Sequence, residues 1–103
     1  MPDQLIKLQE WFAAQCEEVE ENKQPWQDRY GVSINTSDNP AWNVGIDLEG
    51  TALDGATMPV CRVDNWEDDW FVFNIIDNQF NGVGDPSKLT VILDHFFRLV
   101  PTG

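Results

Sequence analysis

Apolar residues first recur at helical spacing. Leu5, Leu8, Phe12, Cys16 and Val19 fall within a narrow arc at about 100° per residue. Glu10, Glu17 and Glu21 lie opposite, and Trp11 sits at the edge of the stripe. The pattern predicts an amphipathic helix over residues 3–21, opened by Asp3 as cap or first-turn acid. Pro25 stops it, because the residue before a proline is biased away from helical dihedrals. From Tyr30 the period changes to two. Tyr30, Val32 and Ile34 alternate with Gly31, Ser33 and Asn35, and a turn follows at 37–40. Trp42, Val44, Ile46 and Leu48 then alternate with Asn43, Gly45, Asp47 and Glu49. Such alternation predicts antiparallel strands with one face covered and one wet.

A third strand is expected over 58–63, and Pro59 places it toward an edge. The run 70–76 is almost continuously apolar, which suits an interior strand. Asp77-Asn78 marks a turn, and 79–83 reads as a short fifth strand. Asp85-Pro86-Ser87 carries the chemistry of a helix start, an acid followed by proline at the first helical position. Leu89, Ile92, Leu93, Phe96 and Val100 share one side of that helix until Pro101. The fold expected is α+β: a single domain over 1–103, with an antiparallel four- to five-stranded sheet and both terminal helices packed on one face. Two apolar stripes bury most simply against one sheet face. Trp42 and Trp70 are expected in the core.

Length agrees, since 103 residues make one domain. Six Lys plus Arg stand against eighteen Asp plus Glu, a formal net charge of −12. That balance opposes a nucleic-acid ligand, which needs clustered cations, and opposes an anionic membrane surface. The 42% hydrophobic and 12% aromatic content is enough for a core, so the charge does not imply disorder. No apolar run approaches the roughly 18 residues of a membrane span. The opening Met1-Pro2-Asp3-Gln4 lacks the basic region of a secretory signal, which points to a cytoplasmic product. Cys16 and Cys61 have neither metal-type spacing nor CxxC pairing, and reduced, buried thiols are expected.

Catalytic chemistry finds little support. His95, the one histidine, projects roughly 120° from the centre of the last helix's stripe and is expected exposed or capping. No Gly-x-Ser-x-Gly elbow occurs. A reactive thiolate needs cations or a loop of backbone N–H groups; Cys16 has Glu17 and Glu18 beside it, and Cys61 has only Arg62 in a strand. Residues 64–69 lack the glycine and spacing of a calcium loop, and Gly82-Val83-Gly84 lacks the context of a phosphate loop. No catalytic residue, metal or cofactor is expected. What remains is a surface of acids interleaved with large aromatics: Asp47, Glu49 and Asp54, then Asp64, Glu67, Asp68 and Asp69 around Trp66, with Trp26 earlier. Aromatic anchors ringed by charge have the composition of a protein–protein hot spot.

Three blocks carry a resemblance. Leu8-Gln9-Glu10-Trp11-Phe12-x-x-Gln15-Cys16, Asp38-Asn39-Pro40-x-Trp42-x-Val44-x-Ile46-Asp47-Leu48-Glu49-Gly50-Thr51, and Asp68-Asp69-Trp70 resemble the immunity protein 53 family. Its members are small acidic domains associated with bacterial polymorphic toxin systems. The likeness runs from about residue 5 to residue 100, and this sequence differs in a longer acidic stretch at 17–27. The resemblance implies a cognate toxin as partner, neutralised by binding in the producing cell, without catalysis or cofactor. Nuclease-type toxins present cationic clefts, to which an acidic partner is steered. The toxin-facing set expected is Asp47, Glu49, Asp64, Trp66, Glu67, Asp68 and Asp69, with the 64–69 connection at one end of the face shared by Asp47 and Glu49. Two other readings stay open: a rhodanese-like sulfurtransferase using a cysteine, and an acidic protein-binding domain with no toxin.

Overall fold

The computed structural model describes residues 4–17, 30–38, 40–66 and 69–100, and at Trp66 the backbone alone. The elements in order are α1 (Gln4–Glu17), β1 (Val32–Ser37), β2 (Ala41–Asp47), β3 (Met58–Trp66), β4 (Asp69–Ile76), β5 (Gln79–Gly84) and α2 (Leu89–Leu99). All pairings are antiparallel, in the order β1-β2-β5-β4-β3. The fold is α+β, as the periodicities predict, and the short fifth strand is its centre. Asp77 and Asn78 make the β4–β5 turn with φ of 53° and 61°. Left-handed dihedrals at both central residues match the twist of a two-residue hairpin, and Asp and Asn tolerate them. The β2–β3 connection, turning at Gly50 (φ 75°) and Gly55 (φ 83°), carries the chain past the central position that β5 later fills. The third strand is at an edge, as Pro59 implies, and is bulged between Met58 and Cys61.

One sheet face holds the core. Val44, Ile46 and Leu48, then Phe71, Phe73 and Ile75, then Phe80 meet Ile92, Leu93 and Phe96 of α2. The approach is closest over β5. A Cβ on Gly82 would collide with the Ile92 side chain, and one on Gly84 would lie 2.8 Å from Lys88 Cβ. Glycine there lets the helix sit directly on the strand.

α1 docks against α2 by a face different from the one the stripe predicts. Leu8 is buried, and Trp11 meets Phe96 edge-on at 5.3 Å between centroids. Leu5 is 49% exposed and Phe12 37%. Gln4, Leu8, Trp11 and Gln15 form the covered face, with Gln4 Nε2 donating to Asp94 Oδ1 at 3.1 Å. Trp11 and Phe12 are adjacent, and of the two it is Trp11 that turns toward α2, where its larger ring meets Phe96. Asp3, Val19 and the helix stop near Pro25 lie outside the described residues.

Trp42 and Trp70 do not fill the core. Trp42 shares the face of Val44 and Ile46 but stands half-buried at the rim, its indole N–H donating to Pro86 O at 3.0 Å. Trp70 lies on the opposite face, because Phe71, its neighbour, points inward. Indole keeps its N–H satisfied most easily at such margins.

α2 also begins later than its start signal suggests. Its first residue is Leu89, and Asp85, itself buried, instead organises a turn. Asp85 Oδ1 accepts from Ser87 N at 2.7 Å and Ser87 Oγ at 2.6 Å, while Oδ2 accepts from Trp70 N at 2.8 Å. The local cap signal is real, but the carboxylate is drawn to an orphan amide at the start of β4.

Candidate functional site

The acids singled out from the sequence form two groups at opposite ends of the sheet. At one end Asp47 is half-buried and fully engaged: Oδ2 accepts from Gly31 N at 2.9 Å and Oδ1 from Gln79 Nε2 at 3.1 Å. It ties the chain entering β1 to β2 and β5. Glu49 follows the end of β2, just before the chain turns at Gly50. Asn78 Nδ2 donates to Glu49 Oε2 and to Asp54 Oδ1, both at 2.8 Å, and Asn78 Oδ1 accepts from Gly55 N at 2.9 Å. The Gly50 N–H bond, then that from Asn78, holds the Asp54 carboxyl below its ordinary range.

At the other end Asp64 is exposed on β3 opposite Trp70. Asp69 opens β4, bridged to Lys88 Nζ at 3.0 Å and accepting from Asn65 Nδ2 at 3.2 Å. Lys88 first, then Asn65, lowers its pKa. Lys88 Nζ also lies 3.2 Å from Asp85 Oδ2, and Asp69 raises the lysine's own pKa. Glu67, Asp68 and the Trp66 side chain lie outside the described residues, as does Trp26. β4 alone runs eight residues from this end to the other, so roughly 24 Å separates the groups. β5 lies between β2 and β4. β3 runs opposite in direction to β2, so the β3–β4 connection stands at the end away from Glu49, and β5 and β4 lie between the two strands.

Between those ends lies the sheet face turned away from both helices. Register aligns Asn35, Asn43, Val83, Val72 and Arg62 across the five strands. A neighbouring row aligns Ser33, Gly45, Asn81 and Asn74. Along β1, β2, β5 and β4 no charged side chain interrupts these rows; the charges stand at Arg62 on the edge strand and at the sheet ends. Among the described residues, both helices and the apolar side chains of the β2–β3 connection, Leu53 and Ala56, pack on the core side.

Nucleophile chemistry is placed as follows. Both cysteines are free thiols; Cys16 is half-buried, but Cys61 is exposed, contrary to expectation, because β3 is an edge strand. His95 is neither exposed nor a cap. Its ring stacks on Phe73 at 4.7 Å and lies 5.2 Å from Phe71. α2 lies flat enough on the sheet to bury a wider arc than its stripe, and burial, then Arg98, pushes the imidazole pKa down. Among the described residues no group of three or more His, Cys, Asp or Glu is placed to hold a metal ion. None of their helices is long and apolar enough to cross a membrane. Asn78 and Asp85 organise the two ends, yet the sequence marks them only as turn and cap.

A family model described as Immunity protein 53 matches residues 5–101. No curated protein and no solved structure matches the chain.

Proposed function

The chain belongs to the immunity protein 53 family, and from that membership we propose that it neutralises a cognate bacterial toxin by binding it. It acts in the cytoplasm of the producing cell as part of a polymorphic toxin system, covers the toxin's active site, and consumes no substrate. The observation that carries this reading is the extent of the match, from the first turn of α1 to the end of α2. The charge of −12 supports a partner with a cationic site, of which a nuclease is the leading type, because such a site attracts an acidic protein at long range. The same charge repels nucleic acid and anionic lipid.

Within the acidic set, Asp47 positions the sheet, while Glu49 at one end, Asp64 and Asp69 at the other, and Glu67 and Asp68 next to Asp69 in sequence steer the toxin. Trp66, the last residue of β3, supplies an apolar anchor. Sulfur transfer at Cys61 fits less well. The residue sits in a ladder opposite Phe73, without the N–H-lined loop that would stabilise a thiolate. The test is protection: the reading frame immediately upstream of this chain's gene should encode a toxin that arrests a bacterial host, and the host should grow only when this chain is co-produced. Growth arrest despite co-production would overturn the proposal.

A further inference from the structure

We propose that the outer face of the sheet is the surface on which the toxin docks. Its neutral centre at Asn43, Val83 and Val72 seats the partner, and the carboxylates at both ends form the rim. The proposal rests on the immunity reading above, and deepens it by joining two separated acidic groups into one interface.

Three observations carry it. The first is apolar surface that the core does not use. Trp70, Val72, Ile76 and Val83 all lie on the face opposite the core, and Ile76 is 55% exposed. A wet face needs none of these residues for folding. The second is the distribution of charge. In a chain with eighteen acids, the rows through Asn43 and Asn81 carry no carboxylate and have Arg62, on the edge strand, as their one charge, whereas Asp47, Glu49 and Asp64 stand toward the margins. Depletion of charge at the centre with a charged rim is the anatomy of a protein interface. Asn and Ser side chains offer adaptable hydrogen bonds at modest entropic cost, as in antibody paratopes.

The third is size. Five strands about 4.8 Å apart and about 24 Å long give roughly 450 Å² of flat face. That is more than half of the ~800 Å² each partner gives to a standard interface, and the rim can supply the rest. Charge selects the occupant. A second copy of this chain would bring another −12 against the same carboxylates. The surface fits instead a cationic protein with a flat neutral patch and basic groups roughly 20 Å apart.

The experiment uses the full chain and, as probe, the catalytically inactivated protein encoded by the adjacent toxin-like reading frame. Asn43→Arg and Val83→Arg place a bulky cation at the centre of the face. Gln9→Arg, exposed on α1, places the same group elsewhere. Circular dichroism and thermal midpoints establish that each variant folds. The proposal expects Asn43→Arg and Val83→Arg to weaken binding about 100-fold or more, chiefly through faster dissociation, with Gln9→Arg within twofold of the parent. Folded Asn43→Arg and Val83→Arg proteins that bind like the parent would overturn the docking face and leave the immunity reading standing. A parent that does not bind the probe would overturn both. A parent dimer that Val83→Arg converts to monomer would identify a self-interface and contradict the proposal. If Val83→Arg fails to fold, Asn43→Arg alone decides.

Discussion

The Asp85 carboxylate accepts a hydrogen bond from the backbone N–H of Trp70 at 2.8 Å, joining the start of β4 to the turn that leads into α2. Asp85 is 1% exposed, and its other partners are Ser87 and Lys88. Burial alone would raise its pKa, but the bonds from Ser87, Trp70 and Lys88 outweigh burial and hold it far below the carboxylate range. Asp85→Ala strands the Trp70 amide and the Ser87 donors, and should cost about 2–4 kcal/mol in urea denaturation. Because the folded pKa is depressed, the stabilisation is complete above pH about 5 and fades as the pH falls below about 4. The stability difference between parent and Asp85→Ala should therefore shrink with acid; a difference that stays constant from pH 7 to pH 3 would contradict the charged hub.

Gly82 lies where α2 presses hardest on the sheet. Gly82→Ala should destabilise by about 1–3 kcal/mol, since its Cβ meets the Ile92 side chain. In Ile92→Ala the same Cβ has room. A double-mutant cycle should find the pair less destabilised than the sum of the singles. Additive losses would mean that the helix does not sit over Gly82.

His95 provides a second acid-sensitive contact. Its imidazole is stacked on Phe73 and its pKa is pushed down by burial. A base with a depressed folded pKa must charge on unfolding below its ordinary value of about 6.5, so stability is lost as the pH falls through that range. His95→Gln, which does not titrate, should show a smaller drop in thermal midpoint between pH 7.5 and pH 5.5 than the parent. Equal drops would contradict a desolvated histidine.

Much of this architecture is legible in the chain. Alternation at Trp42 to Leu48 assigns the faces of β2, and the apolar run at 70–76 assigns an interior strand. Two kinds of information are not local. Nothing near Gln79 says that β5 will lie between β2 and β4, and that placement decides that the strands of Asp47 and Asp64 stand apart, with two others between them. Nor does helical periodicity choose between the adjacent rings of Trp11 and Phe12, because the choice depends on Phe96, far along the chain. Asp85 shows the same limit: its cap signal is local, but its strongest claim is an amide on another strand.

The separated acids predict separable effects on association. Glu49→Lys and Asp64→Lys are exposed reversals at opposite ends, so each should slow association with the toxin about 10-fold at low salt. The double variant should be slower than either. Added salt should bring all rates together, as charges beyond about 10 Å are screened at 0.1 M. Stopped-flow rates that are the same for parent and double variant at low salt would remove the acids from the encounter.

The central claim, neutralisation by binding, is tested most directly by titrating the purified adjacent toxin with this chain and following toxin activity. Binding predicts a linear loss of activity that ends at one equivalent, with both chains recovered at unchanged mass after denaturation. Activity untouched by excess chain, or abolished by a small fraction of an equivalent, would contradict it.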